Sequence, residues 1–335
     1  MKKEPFVVSV SRRTDIPAYY PDWFRERLEK GYTVYPNPYS NKPVFIDLSP
    51  EQVKAFVFWT RNPRPLFKYL DYIDELYEKR HYMHFTINGL PKAIESRNPK
   101  IESAVECAKF LAERYGIHYV QWRFDPIIIS SPLTSTHFVI DKFGEIAEKL
   151  RGVTQRCYFS FVDLYKKTEK NFKVVERREG ILFDRRYTTN QMKENFEEQK
   201  QLIMEINKIA NDNQITLYAC AEDSIQQALP GIEKAHCVDA DLVELVSRAS
   251  NASQKFTPMP SRIGCGCIES RDIGYYDSCP HGCIYCYANM DPDEALKKAK
   301  EYAVNGFPLD NQSKPATENT EPTIQSPTSG NLFDN

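Results

Sequence analysis

The stretch from Tyr82 to Pro126, YMHFTINGLPKAIESRNPKIESAVECAKFLAERYGIHYVQWRFDP, determines the class of fold. It starts with an apolar run, Tyr82 to Ile87, and ends with a second one, His118 to Phe124, and both have the length and composition of a buried strand. Between them, Ile101 to Tyr115 predicts a helix that Gly116 closes. This strand–helix–strand unit indicates parallel strands joined by a helical crossover.

The same alternation continues on both sides of this unit. The further predicted elements are strands at Phe6–Ser11, Val53–Trp59, Cys157–Val162 and Thr216–Cys220, a hairpin over residues 32–48, and helices at Pro21–Lys30, Leu66–Lys79, His137–Leu150 and Gln191–Asn211. About six strands alternating with about five helices predict an α/β fold with a parallel sheet.

Three segments are predicted along the chain. Residues 1–262 form the α/β part, residues 263–306 form a cysteine-rich segment with a final helix in the same globular unit, and residues 307–335 form a tail. The tail is rich in Ser, Thr, Asn and Pro and poor in apolar residues, which predicts disorder.

The composition argues against several classes of protein. With 44 basic and 46 acidic side chains, the net charge of −2 gives no strong signal for nucleic-acid or membrane-surface binding. No apolar run approaches the roughly 20 residues that span a bilayer, and the N-terminus lacks a signal peptide's apolar core. None of the 13 glycines forms a GxGxxG or Walker loop. We therefore expect a cytoplasmic protein with no membrane partner.

Polar side chains follow nearly every predicted strand at its C-terminal end, where parallel α/β folds place functional groups. They are Arg12, Arg13, Asp15, Thr60, Arg61, Asn62, Asn88, Arg123, Asp125, Asp163 and Glu222. Any one of them could be a solvated loop residue, but their recurrence at one end of the strands predicts a shared site. Arginines can pair bidentately with a carboxylate of a cofactor or substrate, and carboxylates can accept hydrogen bonds from ribose hydroxyls.

We divide these residues into two hypothetical roles. The residues expected to bind a cofactor are Arg12, Arg13, Asp15, Arg61 and Asn62. The catalytic candidates are Arg123, Asp125 and Glu222. The first two are favoured because residues on either side of Phe124 point to the same face of a strand.

Nine cysteines give the most specific signal, and five of them fall between Cys265 and Cys286. In a reducing compartment, clustered cysteines indicate metal binding rather than disulfides. Cys279, Cys283 and Cys286 have the spacing C-x3-C-x2-C. Three thiolates on one tight loop can ligate three irons of a [4Fe–4S] cluster and leave the fourth iron open.

This loop resembles the cluster loop of radical S-adenosylmethionine enzymes. The resemblance implies that the amine and carboxylate of S-adenosylmethionine chelate the open iron, and that Tyr285 lies against the adenine. It implies a reductive cleavage to a 5′-deoxyadenosyl radical that abstracts hydrogen from an unknown substrate, with an electron donor such as flavodoxin or ferredoxin. It also implies a TIM-like partial barrel of about six βα units. In most of that superfamily the loop follows the first strand, whereas here it follows the last predicted strand.

The wider chain, from Val7 to Asn289, resembles a bacterial family catalogued as domain of unknown function 1848. The resemblance rests on these segments: Ser11–Pro17, Trp59–Pro63, Trp122–Ile127, Phe161–Tyr165, Cys220–Glu222 and Cys279–Asn289. That family has no established reaction, so the resemblance supports the architecture and the cluster but not a substrate.

A second group of cysteines comprises Cys220, Cys237, Cys265 and Cys267. Four thiolates could close a structural Zn²⁺ site or hold an auxiliary iron–sulfur cluster, and the alternative is that they are ordinary buried cysteines. The two remaining cysteines, Cys107 and Cys157, are expected in the core.

Two alternatives to the radical enzyme stay open at this level. Cys279, Cys283 and Cys286 with either His281 or Cys267 would make a tetrahedral zinc site in a non-catalytic protein. A nucleic-acid-associated protein with a structural cluster is the other, because basic pairs recur between Lys166 and Arg186. Acidic residues are interleaved with those pairs, so a solvated loop is the favoured interpretation of that stretch.

Overall fold

The computed structural model describes residues 4–37, 40, 42–189, 195–247, 256–260 and 264–312. Its strands are β1 (Phe6–Val10), β2 (Tyr32–Pro36), β3 (Pro43–Asp47), β4 (Val53–Thr60), β5 (His81–Thr86), β6 (Val120–Ile127), β7 (Ser130–Ser131), β8 (Arg156–Phe161), β9 (Leu182–Phe183), β10 (Thr216–Ala219), β11 (Ile232–Lys234) and β12 (Arg271–Asp272).

Helices connect most of these strands. They are α1 (Ile16–Tyr19), α2 (Pro21–Lys30), α3 (Leu70–Tyr77), α4 (Ile101–Tyr115), α5 (Thr136–Leu150), α6 (Lys166–Glu179), α7 (Phe196–Asp212), α8 (Asp223–Ala228), α9 (Ala240–Ser247) and α10 (Pro292–Asn305), with a 3₁₀ helix at Arg64–Tyr69 before α3. No helix within the described ranges is long and apolar enough to cross a bilayer.

The central sheet has eight strands in the order β12-β1-β4-β5-β6-β8-β10-β11, and every neighbouring pair is parallel. From β1 to β11, the order across the sheet is the order along the chain. The predicted α/β class and parallel sheet are confirmed. The expected number of about six strands is too low, because β11 and β12 have only three and two residues and show no recognisable pattern.

One face of the sheet is apolar and carries helices. Phe24 of α2 packs on Phe56 of β4 at a ring-centroid distance of 5.5 Å. Phe143 of α5 packs on Trp122 of β6 at 4.9 Å. Because alternate side chains of a strand point to opposite faces, the residues next to Phe56 in β4 and next to Trp122 in β6 point to the other face of the sheet.

The opposite face is lined by polar and aromatic side chains that touch from strand to strand. Trp59 Nε1 donates to Ser9 Oγ at 3.0 Å, and the Trp59 ring stacks on His84 at 4.4 Å. The guanidinium of Arg123 lies 5.6 Å from the Trp59 ring and 5.9 Å from that of Tyr158. Arg123 therefore lies on this face inside β6 (Val120–Ile127), and not at the end of its strand as the sequence predicts.

Two smaller sheets accompany the central one. The pairing of β2 with β3 is antiparallel, which confirms the hairpin predicted over residues 32–48. The other antiparallel pair, β7 with β9, was not predicted. The predicted helix at Leu66–Lys79 begins as the 3₁₀ helix and continues as α3. Gln191, the expected start of another helix, lies outside the described residues.

The charged stretch between Lys166 and Arg186 is a helix and not the expected solvated loop. α6 covers most of it and ends at Gly180, which has φ 66°. Thr168, Phe172 and Val175 are buried at helical spacing. Only two of these buried residues, Phe172 and Val175, are apolar, and charged residues outnumber them along the helix. The sequence pattern therefore did not reveal the helix.

The expected tail is also corrected at its beginning. Phe307 is buried and its ring lies 4.4 Å from that of Tyr275. Trp23 Nε1 donates to Asp310 Oδ1 at 2.9 Å, and the buried guanidinium of Arg27 lies 3.5 Å from the same oxygen. Residues 307–312 therefore pack against the rest of the protein. The sequence did not predict this because the segment is polar on average and contains one buried aromatic residue. Residues 313–335 lie outside the described part of the chain.

Candidate metal and cofactor site

The cysteine loop, defined here as residues 279–286, lies against the segment that follows β5. Ile284 N donates to Ile94 O at 3.2 Å, and Arg97 N donates to His281 O at 3.1 Å. Ser96 Oγ donates to Gly282 O at 3.4 Å. Although these two segments are far apart in the chain, backbone hydrogen bonds fix the loop at the C-terminal ends of the strands.

Of the three cysteines of this loop, Cys283 is buried and Cys279 and Cys286 are half-buried. They lie close enough together that, besides burial, the charges of Cys286 and Cys283 raise the pKa of Cys279. Burial is the main cause that raises the pKa of Cys279 and of Cys286, and it raises that of Cys283 to about 12. Arg61 opposes this effect at Cys283, and the backbone N–H groups of residues 288 and 289 oppose it at Cys286. Cations and N–H donors of this kind stabilise thiolates.

Asp15 anchors the cysteine loop to β1 and β4. Its Oδ2 accepts from His281 Nε2 at 2.7 Å and from Arg61 N at 2.7 Å, while Oδ1 caps α1 through Ala18 N at 3.0 Å. The other imidazole nitrogen, Nδ1 of His281, pairs with Tyr19 OH at 3.2 Å. Because both ring nitrogens have partners in the protein, His281 has no lone pair left for a metal in this arrangement.

Arg61 and Tyr285 meet at a buried carboxylate that the sequence patterns did not single out. Arg61 Nη1 lies 2.7 Å from Glu95 Oε1, which Asn88 Nδ2 also contacts at 3.2 Å. The Tyr285 hydroxyl donates to the same oxygen and accepts from Arg61 Nη2. Burial lowers the pKa of Arg61, but Glu95 and Tyr285 outweigh it and hold that pKa well above its usual value.

Arg12 and Arg13 flank a second buried carboxylate, Asp272 of β12, which the sequence analysis also missed. Asp272 accepts from Ser9 Oγ at 2.7 Å, from Ser11 Oγ at 2.5 Å and from Arg12 N at 2.7 Å. Burial raises the pKa of Asp272, but Arg13 and Arg12 outweigh it, so that pKa is lowered overall. Both arginines therefore help to attach β12 to β1. Asn62, another cofactor-binding candidate, is not part of this arrangement: its contact is local, with its backbone N–H donating to Thr60 Oγ1 at 2.9 Å.

The catalytic candidates form two arrangements. Arg123 and Asp125 form an ion pair on the polar face of the sheet, where Asp125 also accepts from Ser160 Oγ. Glu222 is buried and accepts from Phe161 N at 2.9 Å and from Thr189 Oγ1 at 3.0 Å. The structure thus brings Arg123 and Asp125 together, whereas the contacts of Glu222 tie the end of β8 to the loops around it.

The second group of cysteines is also brought together. Cys220 Sγ lies 3.7 Å from Cys237 Sγ. Cys220 and Cys267 shift the pKa of Cys237 in opposite directions, and Cys237 and Cys265 do the same to the pKa of Cys267. Cys107, as expected, is buried elsewhere in the core. Among the residues that the structure describes, no three His, Cys, Asp or Glu side chains converge on one point as ligands of a single metal ion.

Comparison with known proteins gives one match. A family model described as "Domain of unknown function (DUF1848)" matches residues 7–288, which include the cysteine loop and all of the central sheet except Phe6. No curated protein and no solved structure matches the chain.

Proposed function

The chain belongs to the DUF1848 family, and we propose that it is a radical S-adenosylmethionine-like enzyme in which Cys279, Cys283 and Cys286 hold a [4Fe–4S] cluster. The observation that carries the proposal is the place of the cysteine loop relative to the order of the strands in the central sheet. The loop follows β12, an edge strand that pairs with β1. It therefore comes after the first strand of the sheet in space, although it comes late in the sequence.

This position accounts for the departure from the radical enzymes that the sequence shows. Starting from the β12 edge, the next strands across the sheet are β1, β4, β5, β6, β8, β10 and β11, which is also their order along the chain. A cluster loop after the first strand, followed by successive parallel strands, is the order in those enzymes, here with the first unit moved to the C-terminal end of the chain. Helices on one face and polar side chains on the other favour a TIM-like partial barrel, with the polar face inside.

The residues around the three thiols suit a cluster with one open iron. In a [4Fe–4S] cluster each thiolate binds a different iron, so three ligands surround a volume and need not converge on one point. Arg61 near Cys283 and Lys167 near Cys286 provide positive charge, and backbone N–H groups reach the sulfur of Cys286. When bound and reduced by an external donor, such a cluster would supply the one electron that reductive cleavage of a carbon–sulfur bond in S-adenosylmethionine requires.

The protein's own side chains would then position the cysteine loop and bind the substrate. Asp15, Arg61 and Glu95 hold the cysteine loop at the ends of the strands, so we assign them to positioning rather than to direct contact with the cofactor. Arg123 and Asp125, between the rings of the polar face, are the pair that we assign to a polar group of the unknown substrate. Ion pairs of this kind can exchange one partner for a ligand carboxylate.

Neither alternative gains a specific observation. Structural zinc would need a fourth ligand at the loop, for which the candidates are His281 and Cys267. Both nitrogens of His281 are engaged by Asp15 and Tyr19, and the sulfur of Cys267 accepts from Val238 N, next to Cys237. The basic residues considered for nucleic acid include Arg185, which pairs with Glu176 and Glu169. Cationic side chains that are paired within the protein contribute little attraction to phosphates.

The test is whether the reduced protein releases 5′-deoxyadenosine from S-adenosylmethionine. The full chain, loaded anaerobically with iron and sulfide and reduced with dithionite in place of flavodoxin or ferredoxin, should form the nucleoside slowly without substrate, as measured by chromatography. Cys107→Ala, a buried cysteine outside both groups, should match the wild type. If loaded wild-type protein forms no more than Cys283→Ala, the cluster is not catalytic and the metal-binding alternative replaces the enzyme.

A further inference from the structure

We propose that Cys220, Cys237, Cys265 and Cys267 form a second metal site, which binds a single Zn²⁺ through four sulfur atoms. The site is separate from the cysteine loop, and zinc binding there does not require the radical chemistry. The four residues come from the end of β10, the segment after β11 and the segment before β12.

The distance between two of these sulfurs equals one edge of the ligand tetrahedron around a zinc ion. Zinc–sulfur bonds of about 2.3 Å give a tetrahedron with an edge of about 3.8 Å. Cys220 Sγ and Cys237 Sγ lie 3.7 Å apart, which is one such edge. Val238 N, in the residue after Cys237, donates to Cys267 Sγ at 3.4 Å, and His236 Nδ1 pairs with Gly266 O at 2.6 Å. The segment that carries Cys265 and Cys267 therefore lies beside this edge and continues it as a row of four thiols.

A metal would have to close this row into a tetrahedron. Cys237 and Cys267, in the middle of the row, are buried, whereas Cys220 and Cys265 at its ends are only half-buried. Binding of one common ion would require the sulfurs of these two end residues to turn toward it. Val238 N already donates to Cys267 Sγ at 3.4 Å, a backbone contact of the kind that orients a metal-bound thiolate.

The charges around the four sulfurs suit a thiolate site. Four thiolates and one Zn²⁺ carry a net charge of −2, and burying that charge needs compensation. Arg123 Nη1 lies 3.2 Å from Cys237 Sγ. Arg12 interacts electrostatically with Cys267 and Cys265. Two guanidiniums therefore face the site, even though each also has a carboxylate partner.

The position of the site suggests its purpose. β11 and β12 are the two opposite edges of the central sheet, and within the described residues they form no pair with each other. Cys220 and Cys237 belong to the β11 edge, and Cys265 and Cys267 lead into β12. A metal ion shared by them would tie the two edges together across the polar face and would fix Arg123 next to it. The site is thus a clasp for the open sheet.

Metal analysis of the full chain tests this inference. The chain is produced with zinc in the medium, as wild type and as the triple variant Cys279→Ala/Cys283→Ala/Cys286→Ala, which lacks the cysteine loop's ligands. Both proteins should hold one zinc per chain. Cys220→Ala and Cys267→Ala should each lose that zinc, and Cys107→Ala should keep it. If these variants do not fold, the half-buried Cys265→Ala gives the same comparison.

The outcomes separate this site from the proposed function. Zinc that stays in the triple variant and leaves with Cys220→Ala supports the clasp, whether or not the loop holds iron. Zinc that leaves with the triple variant places the metal at the cysteine loop and overturns the inference. Loss of iron and sulfide, instead of zinc, from Cys267→Ala means an auxiliary cluster and also overturns it. Unchanged metal content in all variants means that the four thiols are ordinary cysteines.

Discussion

Cys279→Ala, Cys283→Ala and Cys286→Ala should each abolish the iron–sulfur cluster. A three-cysteine site already leaves one iron without a protein ligand, so the loss of a second ligand leaves too few bonds to hold the cluster. Wild-type protein prepared without oxygen should be brown, contain about four irons and a similar amount of sulfide, and bleach in air. The three variants should be colourless, and iron and sulfide analysis measures the difference.

Cys107→Ala is the matched control for this series, because Cys107 is buried and lies in α4, away from both groups of cysteines. It should retain full iron and colour. Full iron in any one of the three loop variants would show that this cysteine is not a ligand. Zinc in place of iron in a wild-type protein that cannot take up iron and sulfide would contradict the cluster itself.

Glu95→Ala should destabilise the protein by about 3–5 kcal/mol, since it removes the partner of a buried charge. Arg61 and Glu95 are exposed by only 14% and 3%, so the guanidinium would be left in a site with little water. Tyr285 and Asn88 would lose the same acceptor. Chemical denaturation of the metal-free chain measures the change in the free energy of unfolding, and a loaded sample should also lose its cluster faster in air.

Glu106→Ala provides the comparison. Glu106 pairs with Arg64 at 3.1 Å, but the two side chains are 70% and 54% exposed. Exposed pairs of this kind contribute about 0–1 kcal/mol. Equal losses in the two variants would mean that the contacts of Glu95 do not hold the cysteine loop in place.

Local patterns were enough to predict the longer strands of the central sheet and several of its helices. The bounds Ile101–Tyr115 and Pro21–Lys30 of α4 and α2 agree with the sequence prediction, because apolar spacing and a following glycine mark such helices. Segments that are held by one buried residue, or that pair over very few residues, cannot be predicted from such patterns. Phe307 docks a polar segment that has too few apolar residues to form a pattern, and β12 pairs over only two residues.

The candidate site was predictable in its residue types but not in its pairings. Strand ends identified Arg12 and Arg61, yet each is held by a carboxylate distant in the chain, Asp272 for Arg12 and Glu95 for Arg61. Glu95 lies in a loop beyond its strand and Asp272 in a strand of two residues, so neither stands at a position that sequence reasoning would select. Only the folded structure shows that these arginines already have partners.

The most direct test of the proposed enzyme is the electron paramagnetic resonance spectrum of the loaded, dithionite-reduced full chain, recorded with and without S-adenosylmethionine. We expect a reduced-cluster signal whose shape and g values change when S-adenosylmethionine is added, because its amine and carboxylate would bind the iron that lacks a cysteine. Cys283→Ala should give no such signal. An intact signal that does not change at saturating S-adenosylmethionine would contradict the account and leave the cluster, if present, a structural one.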